Sequence, residues 1–422
     1  MATQVTPTSN TIKIFGVPGC SWDYKLRDFL HRSDVPFEWI QIYSDEQARA
    51  ETGAEITKGS LPMCVFADGT RLERPTIRQL TEKLGWFHNP SLEEYDLAIY
   101  GAGPAGLSAA VYGSSEGLKT VLIERSAVGG QAGSSSKIEN YLGFPDGISG
   151  AEMADRARRQ ASRFGTDILI AREGVKGEFP AGKGVGYLED GTKIIARATI
   201  CATGIEYTRL GLPNEDQFIG IGLYYGAGAS EAAFCKDEHV FVVGGSNSAG
   251  QAAMHFAPVA KQVTVVIRGE CLKTTLSQYL VDRIHATPNI EVVRQTEVTG
   301  LSGNHRCLEE ITLANRKNGE SRQVKTKFLF VCIGGAPNTQ WAGDLGIVRD
   351  NSGYLVTGPD LIRSGKKPAS WPLDRDPYYL ETSMPGLFAA GDVRHGSVKR
   401  CASAVGEGAM AVSLIHRYLA SG

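Results

Sequence analysis

The residues of this chain best suited to chemistry are two glycine turns and one cysteine turn. Gly101, Gly103 and Gly106 have the spacing Gly-x-Gly-x-x-Gly, directly after the apolar run Asp96–Tyr100 and before the helix-like run Leu107–Glu116. In that setting the first glycine permits a tight turn and the second admits backbone close to a pyrophosphate. The third lets the helix pack on the strand, and the helix N-terminus then faces the anion. Pro104 and Ala105 complete the turn, and Glu124 closes the next apolar run 18 residues past Gly106, near the spacing of a carboxylate that accepts from ribose hydroxyls. A glycine-rich turn with a surface glutamate is the bland alternative, but strand, turn, helix, strand and acid all occur in order. The second turn, Gly244-Gly245-Ser246-Asn247-Ser248-Ala249-Gly250, lies between the apolar runs Val240–Val243 and Val263–Ile267. It starts 143 residues after the first, so each turn belongs to its own module and the sequence predicts two dinucleotide sites. Ser246 takes the middle-glycine position and puts a Cβ and a hydroxyl where backbone should come closest to pyrophosphate. The cysteine turn is Pro18-Gly19-Cys20-Ser21-Trp22-Asp23, which sets a thiol at a predicted helix N-terminus, where its pKa would fall. Asp23 one turn later would oppose that fall.

The elements that must carry these turns read as α/β throughout. Thr11–Phe15, Val35–Tyr43 and Met63–Phe66 are expected strands, and Tyr24–His31 and Pro75–Leu84 expected helices, of a small unit spanning 11–85. Residues 86–94, with Asn89-Pro90 and a glutamate pair, read as a linker. From Tyr95 the pattern becomes βαβ.

Composition removes several function classes. The 422 residues carry 44 Lys and Arg against 46 Asp and Glu, a net charge of −2, which leaves no basic footprint for nucleic acid. No apolar run approaches the roughly 18 residues of a membrane helix, and the N-terminus has no basic-then-apolar signal, so a cytoplasmic protein is expected. The eight cysteines (Cys20, Cys64, Cys201, Cys235, Cys271, Cys307, Cys332, Cys401) include no Cys-x-x-Cys, which excludes a vicinal redox dithiol and a zinc knuckle; no metal site is expected. Cys64, Cys201 and Cys332 read as core thiols.

Further motifs follow in a telling order: Gly129-Gly130-Gln131, Ile138-Glu-Asn140-Tyr-Leu-Gly-Phe-Pro145, Ala202-Thr203-Gly204, Gly334-Gly-Ala-Pro-Asn-Thr339 and Pro385-Gly-Leu-Phe-Ala-Ala-Gly391-Asp392. From Tyr95 to its end the chain resembles the low-molecular-weight thioredoxin reductases. The resemblance implies an FAD domain built from 95–211 and 337–422, with an NAD(P)H domain, 212–336, inserted between its halves, and a homodimer. It implies that Gly101, Gly103, Pro104, Ala105, Gly106 and Glu124 hold the FAD pyrophosphate and ribose. Gly130, Gln131, Asn140, Ala202, Thr203 and Gly204 would line the cofactor, and Gly391 with Asp392 would reach its ribityl chain. Arg400, Cys401 and Ala402 would start a last helix whose N–H groups can stabilise negative charge on a flavin ring. For NADPH the resemblance offers Gly244, Gly245, Asn247 and Ser248, with Arg268 and Lys273 remaining of a basic cluster for the 2′-phosphate. A nucleotide-binding module that has lost its ligand is the alternative for this second turn.

In that family a Cys-x-x-Cys followed by Asp precedes the second glycine turn by a fixed spacing, and here the spacing falls on Ala227-Gly228-Ala229-Ser230-Glu231. Ala227 and Ser230 replace the cysteines, and Glu231 replaces the acid and could still donate a proton. Residues 11–85 resemble a glutaredoxin, with Cys20 as the nucleophile and Leu61-Pro62 beside it, but Asp23 stands where a second cysteine would. The fold expected is a glutaredoxin-like domain followed by two Rossmann-like domains. Three functions stay open. One is an FAD-dependent NAD(P)H oxidoreductase passing electrons to a non-dithiol acceptor, either a small molecule or a ferredoxin-like protein. The second is a disulfide or glutathione-linked reductase using Cys20 or direct flavin contact. The third is a flavoprotein without catalysis or without pyridine nucleotide. The stretch 358–379, with Lys366-Lys367 and Trp371, could cover the flavin, bind an acceptor, or be surface.

Overall fold

The computed structural model describes residues 11–52, 58–226, 228–304, 306–362 and 364–421. The chain forms two compact units: residues up to Leu80 with Arg209–Gly334, and Thr81–Thr208 with Gly335–Gly422.

The first unit contains two α/β layers. The N-terminal sheet runs Phe37–Gln41, Ile12–Gly16, Met63–Val65, Arg71–Glu73; its first pair is parallel and the others antiparallel. Its helix Ser21–Arg32 buries Leu26, Phe29 and Leu30, the apolar stripe expected from their spacing. A helix at Asp45–Thr52, with only Ala48 and Thr52 buried, was not expected, because its sequence carries almost no apolar period. Cys64 is fully buried in this core. The nucleotide-type sheet of the same unit is five parallel strands, Leu223–Tyr225, Phe328–Val331, His239–Val243, Gln262–Val266 and Ile290–Val293. An antiparallel trio, Thr296–Asn304, Cys307–Asn315 and Ser321–Lys325, accompanies it.

The two layers join through a dense contact. Arg27 Nη1 lies 2.7 Å from Glu231 Oε1, both side chains nearly fully buried. The guanidinium sits 4.1 Å from the Trp39 ring centre and 4.9 Å from that of Phe234, and Tyr24 packs on Tyr224 at 5.2 Å. The Tyr24 ring also abuts Gly220, and Gly19 lies against the backbone of Arg306, so neither glycine leaves room for a Cβ.

In the second unit the sheet order is Asp167–Ile170, Thr120–Glu124, Tyr95–Tyr100, Lys193–Cys201, Gly184–Leu188, Gly174–Glu178, with Leu387–Ala389 added beside Lys193–Cys201. The central strands are parallel and buried, as their unbroken apolar runs require. Helices Pro104–Ser115, Gly150–Arg163 and Cys401–Ala420 pack on it.

One expectation needs correction here. The stretch 86–94 is bound to this unit and does not behave as a linker. Fully buried Arg172 donates to His88 O (3.1 Å) and Asn89 Oδ1 (2.9 Å), while Asp167 accepts from the Ser91 N–H at 2.8 Å. The stretch 358–379 is likewise held down. Arg375 makes a two-pronged pair with the buried Glu381 (2.6 and 2.9 Å) and lies 4.1 Å from the Tyr378 ring centre, while Trp371 Nε1 donates to Arg375 O.

Candidate functional site

The strand Tyr95–Tyr100 ends in Gly101, whose φ of +103° only glycine adopts at low cost, and the residue presses on the carbonyl of Ala202. Helix Pro104–Ser115 then starts with proline in its first turn, where no N–H is lost to the helix. Gly106 must lack a Cβ because one would run into the Gly101 carbonyl. Gly103 differs: the nearest atom to a Cβ there is the Gly130 Cα, 4.0 Å away. The space around Gly103 is therefore open, while a Cβ on Gly130 would crowd the Gly103 Cα at 3.1 Å and the space around Gly106 is closed by the protein.

Glu124 is nearly buried and holds this turn from the neighbouring strand. Its Oε2 accepts the Ala102 N–H at 2.8 Å and its Oε1 accepts the Ser126 N–H at 2.9 Å. Both oxygens keep a second lone pair for a hydroxyl donor. Gln131 Nε2 donates to Ile205 O at 2.7 Å, which fixes its side chain beside Ala202-Thr203-Gly204. Thr203 and Asn140 are exposed, and Gly204 has open space on its Cβ side.

From the C-terminal half, Gly391 donates its N–H to Glu407 Oε2 at 2.7 Å, and a Cβ at Gly391 would lie 3.0 Å from the Ala105 Cβ. Glu407 also pairs with Arg394 at 2.6 Å. Asp392 is half-buried and accepts no hydrogen bond among the described residues; burial lifts its carboxyl above the ordinary range, with Lys399 pulling the other way. Arg400 and Ala402 are exposed at the start of Cys401–Ala420. Burial, and then Asp392, push the Cys401 thiol up, which disfavours a thiolate there. These residues fit FAD on three observations. A helix N-terminus opens on a cradle at Gly103 that a Cβ would fill, a half-buried carboxyl has no partner, and a carboxylate holds the turn.

The second turn is built differently. Gly244 (φ +139°) presses on the carbonyl of Cys332, and Ser246 takes extended backbone at the N-cap of Asn247–Phe256. Its Oγ donates to Cys332 O at 3.5 Å. Asn247 is engaged within the protein, with Nδ2 donating to Ser277 Oγ (2.9 Å) and Oδ1 accepting the Ser277 N–H (2.8 Å). Thr275 donates to Gly245 O. Ser248, Arg268 and Lys273 are exposed and make no hydrogen bond with the described residues, while Glu270 accepts from Gln295 at 3.1 Å.

Residues 95–408 match the family described as Pyridine nucleotide-disulphide oxidoreductase. The thioredoxin reductase of Listeria innocua is 32% identical over 326 residues, 77% of this chain and 94% of that protein. That of Bacillus subtilis strain 168 is also 32% identical, over 77% of this chain and 95% of its own length. The chain belongs to the pyridine nucleotide-disulphide oxidoreductase family. It is thioredoxin reductase-like within that family, whose members are FAD-dependent NAD(P)H oxidoreductases and whose cofactors are FAD and NADPH. Among solved structures, Lactococcus lactis thioredoxin reductase (FR conformation) superposes with a TM-score of 0.69 at 26% identity, over 78% of this chain and 100% of that one. The T. acidophilum thioredoxin reductase gives a TM-score of 0.68 at 28% identity, over 78% of this chain and 99% of that one.

The thiol and acid candidates of this oxidoreductase lie in its first unit. Ala227 is outside the described residues. Glu231 is not open to a substrate. It is nearly fully buried, with Arg27 at 2.7 Å and the Ser230 hydroxyl at 3.2 Å. Burial raises its carboxyl, and Arg27 acts against that. Cys235 is fully buried and its thiol is pushed far up by that burial. Cys20 is half-buried at the N-cap of Ser21–Arg32; burial and Asp23 together raise its thiol and outweigh the helix terminus. Sequence reading missed the Arg27–Glu231 pair, whose members are 204 residues apart with no local signal. It also missed His395 Nδ1 at 2.7 Å from Asp350 Oδ2, and the Arg394–Glu407 pair. Among the described residues no cluster suited to a metal occurs, and no helix is long and apolar enough to cross a membrane.

Proposed function

We propose that this chain is an NADPH-driven flavin oxidoreductase that delivers electrons from its flavin unit to a non-dithiol acceptor, either a small molecule or a ferredoxin-like protein. The observation that carries the reading is the make-up of residues 227–231: alanine and serine hold the two positions where the family relays electrons through thiols, and the acid position beside them holds a buried, ion-paired glutamate. FAD, when bound, supplies the two-electron carrier between nicotinamide and acceptor. Around it the chain orients and holds. The turn Gly101–Gly106 presents N–H groups to a pyrophosphate, Glu124 fixes that turn, and Asp392 offers an unpartnered oxygen to a hydroxyl.

A thiol route through Cys20 is disfavoured. Its thiol is raised, its expected partner position is Asp23, and its helix is bound to the nucleotide-type layer. Arg268 and Lys273, free of partners, support NADPH over NADH, since a guanidinium can grip a phosphate in two-pronged fashion. A homodimer and a cytoplasmic location fit the same reading. An apolar cavity of about 380 Å³ on the flavin unit, lined by Leu107, Val111, Tyr112, Met153 and Phe164, suits cover by a second copy, to be checked by light scattering.

Anaerobic titration of the purified yellow protein with NADPH and then NADH tests the proposal. Stoichiometric bleaching by NADPH, with turnover on a quinone or ferredoxin but none on thioredoxin disulfide, is expected. A flavin that bleaches only with dithionite would sink the reading.

A further inference from the structure

The contact between the two layers of the first unit contains more ionisable groups than a simple clamp needs. Arg27 faces Glu231 on one side, and one helical turn before it lies Asp23, which is 1% exposed. Neither Asp23 oxygen makes a well-formed hydrogen bond, although the Val17 N–H and the Cys20 thiol are close. Trp39 Nε1 and Arg27 Nε are also buried and have no hydrogen-bond partner among the described residues. Gly16 closes the space from the strand Ile12–Gly16: a Cβ there would lie 2.7 Å from the Asp23 Cγ and 2.8 Å from Trp39 Nε1. The remaining groups facing this cluster are Cys64 from the strand Met63–Val65, the Ser230 hydroxyl, Tyr24 of the helix, Tyr224, which packs on Tyr24 and lies beside Glu231, and Cys235, whose thiol donates to Glu231 O at 3.4 Å. Two buried carboxyl groups thus face one guanidinium, Glu231 in contact with it and Asp23 under its electrostatic influence without a contact among the described residues.

We propose that Asp23, Arg27 and Glu231 form a proton-controlled latch between the N-terminal layer and the nucleotide-type layer. With Asp23 protonated, the cluster is neutral and Arg27 is committed to Glu231. When Asp23 ionises, a net negative charge is left in the interface and two carboxylates compete for Arg27. The segment Ala229–Cys235, which holds Glu231 and Phe234, then loosens. No bond is made or broken; one proton leaves to solvent. Burial lifts Asp23 to about 7, with Arg27 opposing, which sets the switch in the neutral range. The sign follows from linkage. An acid held above its ordinary value when folded keeps a proton that the unfolded chain has lost. Its contribution to stability is full at low pH and is lost as pH rises toward that value. The latch is independent of which acceptor the flavin unit serves.

Hydrogen–deuterium exchange on the full-length holoprotein, at about pH 6 and about pH 8.5, tests it. Protection of Ala229–Cys235 and of Ser21–Arg32 is normalised to the core strand His239–Val243, which cancels the intrinsic effect of pH. In the wild type normalised protection should fall by up to ~10-fold between the two pH values. In Asp23→Asn it should stay high at both. Glu231→Gln, in which ionised Asp23 and Arg27 leave no net charge in the interface, should not show the fall. A wild type with no fall overturns the latch, whether or not the Asn variant folds. So does a fall of equal size in either variant.

Discussion

The turn at Gly101 and the turn at Gly244 leave their strands alike. Each starts with a left-handed glycine pressed on the carbonyl of a neighbouring strand end, Ala202 in one and Cys332 in the other. They part at the next positions. The first keeps Gly103 open and is fixed from the adjacent strand by a carboxylate that takes two backbone N–H groups. The second places Ser246 in extended backbone and is fixed from the far side by Asn247, Ser277 and Thr275. The first turn therefore leaves its own backbone uncovered at Gly103 and takes its support from Glu124. The second engages Asn247, a residue of the turn itself, in its support. On the proposed function, that difference suits a cofactor that stays bound at the first turn and a nucleotide that exchanges at the second.

The largest expected effect separates the two kinds of glycine within the first turn. In Gly106→Ala the new Cβ falls inside the Gly101 carbonyl, and the backbone must move, at a cost of roughly 3 kcal/mol or more for overpacking a fixed contact. A lower melting temperature and colourless protein should result. Gly103→Ala meets nothing nearer than 4.0 Å in the protein, so its melting temperature without added flavin should match the wild type. Its ratio of flavin to protein absorbance should nevertheless drop. A Gly103→Ala protein that is fully yellow would break the comparison, because Gly103 would then not face the pyrophosphate.

How much of this could be read in the chain depended on distance along it. The strand before the first turn was expected at Asp96–Tyr100 and runs Tyr95–Tyr100, because glycine spacing and apolar runs are local signals. The following helix starts at Pro104, earlier than the apolar run at Leu107 suggested, because proline and two small residues fill its first turn. Residues 86–94 read as a linker from Asn89-Pro90, yet Arg172, 83 residues beyond Asn89, holds them. The burial of Glu231, read from sequence as an acid that could donate a proton, was illegible for the same reason. Its partner Arg27 comes from another layer, and nothing near either residue signals the pair.

A smaller effect belongs to the nucleotide site. Arg268 is exposed and without a partner, so Arg268→Ala costs the fold little. Removing a charge-assisted pair to a 2′-phosphate should raise KM for NADPH by about 10-fold, equivalent to about 1.4 kcal/mol. KM for NADH should barely change. Equal losses with both nucleotides would place Arg268 on a group that the two share, and the preference for NADPH would need another source.

The smallest effect sharpens the comparison most directly. Ser246 is an N-cap residue whose side chain makes no capping bond, so Ser246→Gly should cost the helix only a few tenths of a kcal/mol. If the serine Cβ crowds the pyrophosphate, its removal should lower KM for NADPH by roughly 3-fold with kcat unchanged, the pattern of binding improved equally in ground and transition states. If instead the hydroxyl leaves Cys332 O and donates to a phosphate, the same change should raise KM by a similar factor. The first outcome would make the second turn a weakened copy of the first. The second would make it a distinct design in which a hydroxyl replaces close backbone approach. An unchanged KM would remove Ser246 from the site, and the difference between the turns would then rest on Asn247 and its bond to Ser277 alone.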